Sequence, residues 1–221
     1  MPRFRSRPAL AAAALLALAA GPAAAGVPPD AVKGDMSLGN PKARVHVVEY
    51  ASASCPHCAH FDEETFPAFR QKYVDTGRVY YTLKEFLTEP ADVAAAGFLL
   101  ARCGGKARYF TILDAVFRSQ DQWRTTPVSQ LFVSIGQANG LSEPQVEDCI
   151  TDSAAAAALE ARVKVAAEKD KIESTPTFVV NGKVAAQGDV PLSTLDTAIA
   201  VAESAAPKSA PRRAPHKAGS R

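Results

Sequence analysis

Two cysteines three residues apart, Cys55 and Cys58, stand where an extended run of the chain gives way to a helical one. The run before them, Arg44-Val45-His46-Val47-Val48-Glu49-Tyr50-Ala51, is β-branched and aromatic. Its Val45, Val47 and Val48 put apolar groups on both faces, the pattern of a central strand covered on both sides. After the first cysteine, Pro56 falls at a first helical position, where its missing N–H leaves no bond unmade. Phe66, Phe69 and Tyr73 follow at helical spacing with Phe61 nearby, and Pro67 inside that pattern predicts a kink. Gly77 closes the helix, and Val79 to Phe86 reads as the next strand.

From Pro90 to about Lys171 the pattern turns helical. Ala91 to Arg102 ends at Gly104-Gly105, and Tyr109 to Phe117 follows with Phe110, Leu113 and Phe117. After the Asn139-Gly140 turn, Ser142 and Gln145 form a capping-box signature before a helix through Cys149, and Ser153 can cap the run Ala154 to Lys169. Strands then return as Thr177 to Val180 and Lys183 to Ala186, joined by Asn181-Gly182, a strong hairpin signal. Leu192 to Ala202 supplies a last helix. Asp35 to Ala43, with Gly39, Asn40 and Pro41, reads as a turn-rich lead-in.

The two ends differ from this middle. Arg3, Arg5 and Arg7 precede an unbroken apolar run, Ala9 to Ala20, and small residues at Ala23 to Ala25. That is the layout of a secretory signal over 1–25, cleaved after Ala25; the run is shorter than the roughly 20 residues a spanning helix needs. An alanine-rich core helix is the other reading, and it leaves the arginines unexplained. Residues 206–221 are Pro, Ala, Ser and basic residues with no large apolar side chain, as expected of a basic disordered tail. Setting aside three basic residues in the signal and five in the tail leaves 17 against all 23 acids, a net charge near −6 for the folded part, which argues against nucleic-acid binding. Residues 26–205 form one domain, and export implies an oxidising compartment, the periplasm, where disulfides persist.

Two cysteines three apart at a helix start can close on each other, while the first thiol points at unpaired backbone N–H groups and the positive end of the helix dipole. Cys55 is thus the expected nucleophile and Cys58, one turn in, the shielded resolving thiol. His57 can stabilise the Cys55 thiolate through a ring N–H or its charge, and so make the disulfide more oxidising. A zinc knuckle would need about four ligands, and Cys103 and Cys149 are not a second close pair. An inert structural bridge would close too little chain to stabilise much. Cys103 and Cys149 read as a structural disulfide, with two buried free thiols as the alternative. His46 reads as an ordinary strand residue and His60 as a partly exposed bystander.

Gly39-Asn40-Pro41, the strand ending Val47-Val48-Glu49-Tyr50, Cys55-Pro56-His57-Cys58 at a helix start and Thr175-Pro176-Thr177-Phe178 before a strand together resemble the DsbA-like family of thiol:disulfide interchange proteins over roughly 35–204. The resemblance implies an α/β, thioredoxin-like fold with a helical insertion, about 90–171, between its βαβ and ββα halves. It implies a cis Pro176 opposite the cysteines, leaving the backbone at Thr175 to pair with a substrate strand. From the residues alone, Thr-Pro is a strand-entry turn in which cis is the minority isomer. Glu49 takes the place of the family's buried acid that shuttles the resolving thiol's proton; the plain alternative is an exposed strand-end glutamate. Lys84 could balance it, although Lys84-Glu85 also reads as the point where that strand leaves the core.

The expected activity is donation of the Cys55–Cys58 disulfide to reduced exported proteins, with no cofactor, followed by reoxidation by a DsbB-like membrane protein, a partner the resemblance implies. Thr175, where oxidase members more often carry valine, hints at the disulfide isomerase or reductase reading. Only about 20 residues separate the signal from the first strand, which leaves no room for the dimerisation domain such isomerases usually carry. A third reading is a chaperone-like binding module that kept the fold and lost turnover; the intact cysteine pair argues against it.

Overall fold

The computed structural model describes residues 27–28 and 33–205. The expected signal segment and the basic tail lie outside the described residues. Five strands form one sheet in the order β1-β3-β2-β4-β5. They are β1 (Met36–Gly39), β2 (Val45–Ala51), β3 (Val79–Glu85), β4 (Thr177–Val180) and β5 (Lys183–Gln187). β2 and β3 pair in parallel across the helix between them, and the other three pairings are antiparallel. The α/β fold is therefore a thioredoxin fold, with βαβ and ββα halves.

Strand β1 corrects the turn-rich reading of its segment. Met36-Ser37-Leu38 precedes the Gly39-Asn40-Pro41 turn and bonds antiparallel to β3, with Leu38 opposite Tyr81. A four-residue edge strand takes its order from a partner about 45 positions away in the chain, which no local pattern announces.

Helix α1, residues 56–74, covers the sheet beside the cysteines. It starts as α-helix at Pro56–His60, passes through π-helical turns at Phe61–Thr65 and Arg70–Val74, and is α-helical at Phe66–Phe69 between them. The disturbance expected at Pro67 takes this form, because a ring without an N–H cannot make the regular i→i−4 bond. The distortion lets Phe61, Phe66 and Phe69 all reach the sheet, with Phe61 4.6 Å from Phe178 and Phe66 5.0 Å from Tyr81 between ring centroids.

The insertion between β3 and β4 holds α2 (Ala91–Cys103), α3 (Gly105–Arg118), α4 (Val128–Ala138), α5 (Glu143–Ile150) and α6 (Ser153–Glu168); α7 (Leu192–Ala205) closes the fold. The Ser142–Gln145 capping box is present with both of its bonds. The cap of α6 is Asp152 rather than Ser153: its carboxylate accepts from the N–H groups of Ala154 and Ala155. Asn181 and Gly182 both adopt positive φ, as a two-residue hairpin requires.

Cys103 and Cys149 are bridged, with Cα atoms 5.8 Å apart, tying the end of α2 to α5. Closing a loop of 46 residues is worth about 4 kcal/mol on the chain-entropy model. Next to this bridge lies a charged cluster that the sequence reading missed. Glu85 does not mark an exit from the core: it is 2% exposed, and Arg102 is wholly buried. Arg102 grips both Glu85 oxygens at 2.7 and 2.9 Å, Arg162 of α6 adds bonds at 2.7 and 3.0 Å, and the Tyr109 hydroxyl donates at 2.9 Å. These contacts join the end of β3 to α2, α3 and α6, so the insertion is anchored to the sheet strand that flanks β2.

Candidate active site

Cys55 is the N-cap of α1, in extended conformation, with Pro56 at the first helical position. The loop that delivers it is held from several sides. The Cys55 N–H donates to the Ser52 carbonyl at 3.0 Å, and the Gln120 amide donates to the Ala53 carbonyl at 2.9 Å. Ser54 Oγ donates to the Thr88 carbonyl at 2.9 Å, and the Thr88 N–H donates to Ser52 Oγ at 3.1 Å. Ser52 and Ser54 are buried, so this network satisfies groups that would otherwise cost free energy. Thr88 and Gln120 were not foreseen from sequence, since both reach the loop from beyond β3.

The Thr175–Pro176 bond is cis, as the family resemblance implied, and so is Glu89–Pro90. Thr175 faces the cysteines: Cys55 Sγ lies 3.4 Å from its carbonyl oxygen, which accepts the thiol hydrogen. The Thr175 hydroxyl is buried and makes no full hydrogen bond, yet its proximity helps lower the Cys55 pKa.

The two thiols are pushed apart in acidity. Cys55 falls to about 5, because the Cys58 S–H hydrogen-bonds to its sulfur; Thr175 and the backbone N–H groups of Cys58 and His57 add to this, and burial opposes it. Cys58 is fully buried and pushed well above the ordinary thiol range, by burial first, then by its bond to Cys55 and by the charges of Cys55 and Glu49. His57 is exposed, the side-chain donor with the largest effect on Cys55 is Cys58, and the backbone N–H of His57 adds a smaller contribution.

Glu49 lies in β2 opposite Leu83 and Phe178, and it is 3% exposed. Burial raises its carboxyl to about 7, against the pull of the Tyr81 hydroxyl, which donates to Oε2 at 2.6 Å. Lys84 is not its partner. Register puts Lys84 beside Tyr50 on the opposite face of the sheet, where its ammonium bonds Asp170 at 2.9 Å and lies over the Tyr50 ring. His60 is exposed, with its Nδ1 2.7 Å from Asp189. His46 is exposed, edge-on to Tyr80. The structure thus brings Cys55, Pro56, Cys58, Thr175 and Pro176 together, sets Glu49 where its charge acts on Cys58, and leaves His57 exposed. Tyr81 is an addition that only strand register reveals. Cys103 and Cys149 lie apart, in the insertion.

A family model described as thioredoxin matches residues 31–200. A Rickettsia conorii protein bearing the provisional name protein-disulfide oxidoreductase is 36% identical over 167 residues, covering 75% of this chain. The chain spans 59% of that relative's length. The crystal structure of Wolbachia pipientis alpha-DsbA1 superposes with a TM-score of 0.71 at 28% identity, over 77% of this chain and 92% of that one. That of a protein-disulfide isomerase from Novosphingobium aromaticivorans gives 0.65 at 25% identity, over 76% and 97%. With its cysteine pair at a helix N-terminus facing a cis-proline loop and a helical insertion in its sheet fold, the chain belongs to the DsbA-like group of the thioredoxin family.

Proposed function

We propose that the protein is a thiol:disulfide oxidoreductase working as a dithiol oxidase, which passes the Cys55–Cys58 disulfide to reduced exported proteins. A substrate thiolate attacks Cys55 Sγ, the Cys55–Cys58 bond breaks, and Cys58 leaves as a thiolate that takes a proton from Glu49. A second substrate thiolate then attacks the substrate sulfur of the mixed disulfide and releases Cys55, whose low pKa makes it a good leaving group. The observation that carries this reading is the opposed acidity of two thiols one helical turn apart. The names of the Rickettsia relatives support exchange chemistry. Reoxidation by a DsbB-like membrane protein and a periplasmic location complete the proposal.

Trapping tests it. With glutathione disulfide supplied as the oxidant, Cys58→Ser should accumulate mixed disulfides with reduced client proteins through Cys55, and Cys55→Ser should accumulate none; the reverse pattern would sink the assignment. The isomerase reading draws on Thr175 and on the likeness to the Novosphingobium isomerase. It is separated by substrate: an oxidase acts on a fully reduced test protein and does little for a scrambled one.

A further inference from the structure

Exchange at Cys55 depends on where its sulfur points, because an attacking thiolate must meet Sγ in alignment with the bond that breaks. Cys55 is carried on a loop, and every peptide unit from Ser52 to Pro56 is tied. The Cys55 N–H returns to the Ser52 carbonyl at 3.0 Å, which holds the first unit and the third. One side chain holds the other two. The Gln120 amide donates to the Ala53 carbonyl at 2.9 Å and, more weakly, to the Cys55 carbonyl at 3.4 Å, which also accepts from the Ala59 N–H at 3.1 Å.

Gln120 opens the short 3-10 turn Gln120–Gln122 that follows α3. That turn is pinned independently of the cysteines. The buried Ser119 Oγ donates to the Val116 carbonyl at 2.7 Å and accepts from Trp123 Nε1 at 3.0 Å, while the Trp123 ring stands edge-on to Phe132 of α4. From another side α2 presses on the loop: a Cβ added at Gly97 would stand 3.0 Å from that of Ala53 and 3.1 Å from Val116 Cγ1. Ala53 is wholly buried, so its carbonyl has no ready access to water if the Gln120 amide is lost. We propose that Gln120 is a positioning residue for the nucleophile: by holding the carbonyls on both sides of the Ser54–Cys55 unit, it aims Cys55 Sγ at the Thr175 carbonyl and the N-terminus of α1.

Gln120 carries no charge, so it acts on Cys55 through geometry. The acidity of Cys55 comes from directed bonds, that of the Cys58 S–H first, then those of Thr175 and the backbone N–H groups of Cys58 and His57, against the effect of burial. Such bonds weaken steeply when misaligned. Glu49, the carboxyl that senses Cys55 from β2, keeps its own bond from Tyr81 whatever stands at 120. Without the amide, the loop turns to find the Ala53 carbonyl another donor and Cys55 Sγ swings away from its partners. The thiolate and the reduced state then lose stability together, because they are linked. Gln120 itself gives up no proton and no electron.

The inference rests on the exchange reading, and the test separates the two. Gln120→Met keeps the length of the side chain and removes its donors; Gln120→Asn keeps the amide and draws it back by one methylene. For wild type and both variants, alkylation of the reduced protein is followed across pH, and the Cys55/Cys58 pair is equilibrated with a glutathione series. Positioning predicts an alkylation midpoint raised by about half a unit or more in both variants. It also predicts a glutathione equilibrium moved toward the disulfide by the matching factor, about threefold or more. Trp123, the one tryptophan of the chain, reports by its fluorescence whether the turn stays native. A purely structural role would lower the urea midpoint and leave both redox readouts in place, and that result would overturn the inference. So would a midpoint that moves only where the native Trp123 emission is also lost. A wild-type pair that glutathione neither opens nor closes would overturn the exchange reading, while the alkylation midpoints would still judge Gln120.

Discussion

Cys55 and Cys58 share one helical turn, yet their surroundings move their acidities in opposite directions. Alkylation of the reduced protein should therefore modify Cys55 alone, with a rate that titrates near pH 5 rather than at the free-thiol value of about 8.5. Equal labelling of both thiols, or a midpoint near the free value, would contradict this. The same titration reads His57. Because its contribution is a backbone N–H, His57→Ala should leave the midpoint nearly in place. His57→Pro removes that donor, and a lost bond to a charged group, worth about 1.5–3 kcal/mol, should raise the midpoint by roughly one to two units. If alanine moves it as far as proline, the ring is the partner after all. The cysteines and the Thr175-Pro176 pair were legible because their chemistry lies in short motifs. Tyr81 was not, because it meets Glu49 only through strand register.

At the scale of elements, local pattern found α1, the capping box of α5 and the β4–β5 hairpin, since each is specified by residues within a few positions of one another. It failed at β1 and at Glu85, where the deciding partners come from elsewhere in the chain. Glu85 looked like an exit from the sheet until Arg102, Arg162 and Tyr109, carried in on three helices, turned it into the anchor of the insertion. Such a cluster adds little net stability over an apolar one, but losing one member leaves charge uncompensated in the core. Glu85→Gln should therefore lower unfolding free energy by about 3–5 kcal/mol, read from the urea midpoint, with the reactivity of Cys55 kept under native conditions. A loss under about 1 kcal/mol would mean that the two arginines find other partners at little cost.

For the molecule as a whole, an acidic Cys55 means that the reduced state is the one the fold favours. The thiolate contribution follows from a folded pKa of about 5, below the ordinary value near 8.5. It is fully present above the ordinary value and is lost as pH falls toward 5. The oxidised protein has no such group. Urea unfolding should thus show the reduced form gaining stability relative to the oxidised form as pH rises from 5 to 8. A difference that is flat or of opposite slope would remove the thiolate as the source.

The same linkage sets the redox potential, and equilibrating the Cys55/Cys58 pair against a graded glutathione series measures it directly. Stabilisation of the reduced state by the Cys55 thiolate predicts a strongly oxidising disulfide, with a potential well above the thioredoxin value of about −270 mV. A potential at or below that value would contradict the oxidase reading.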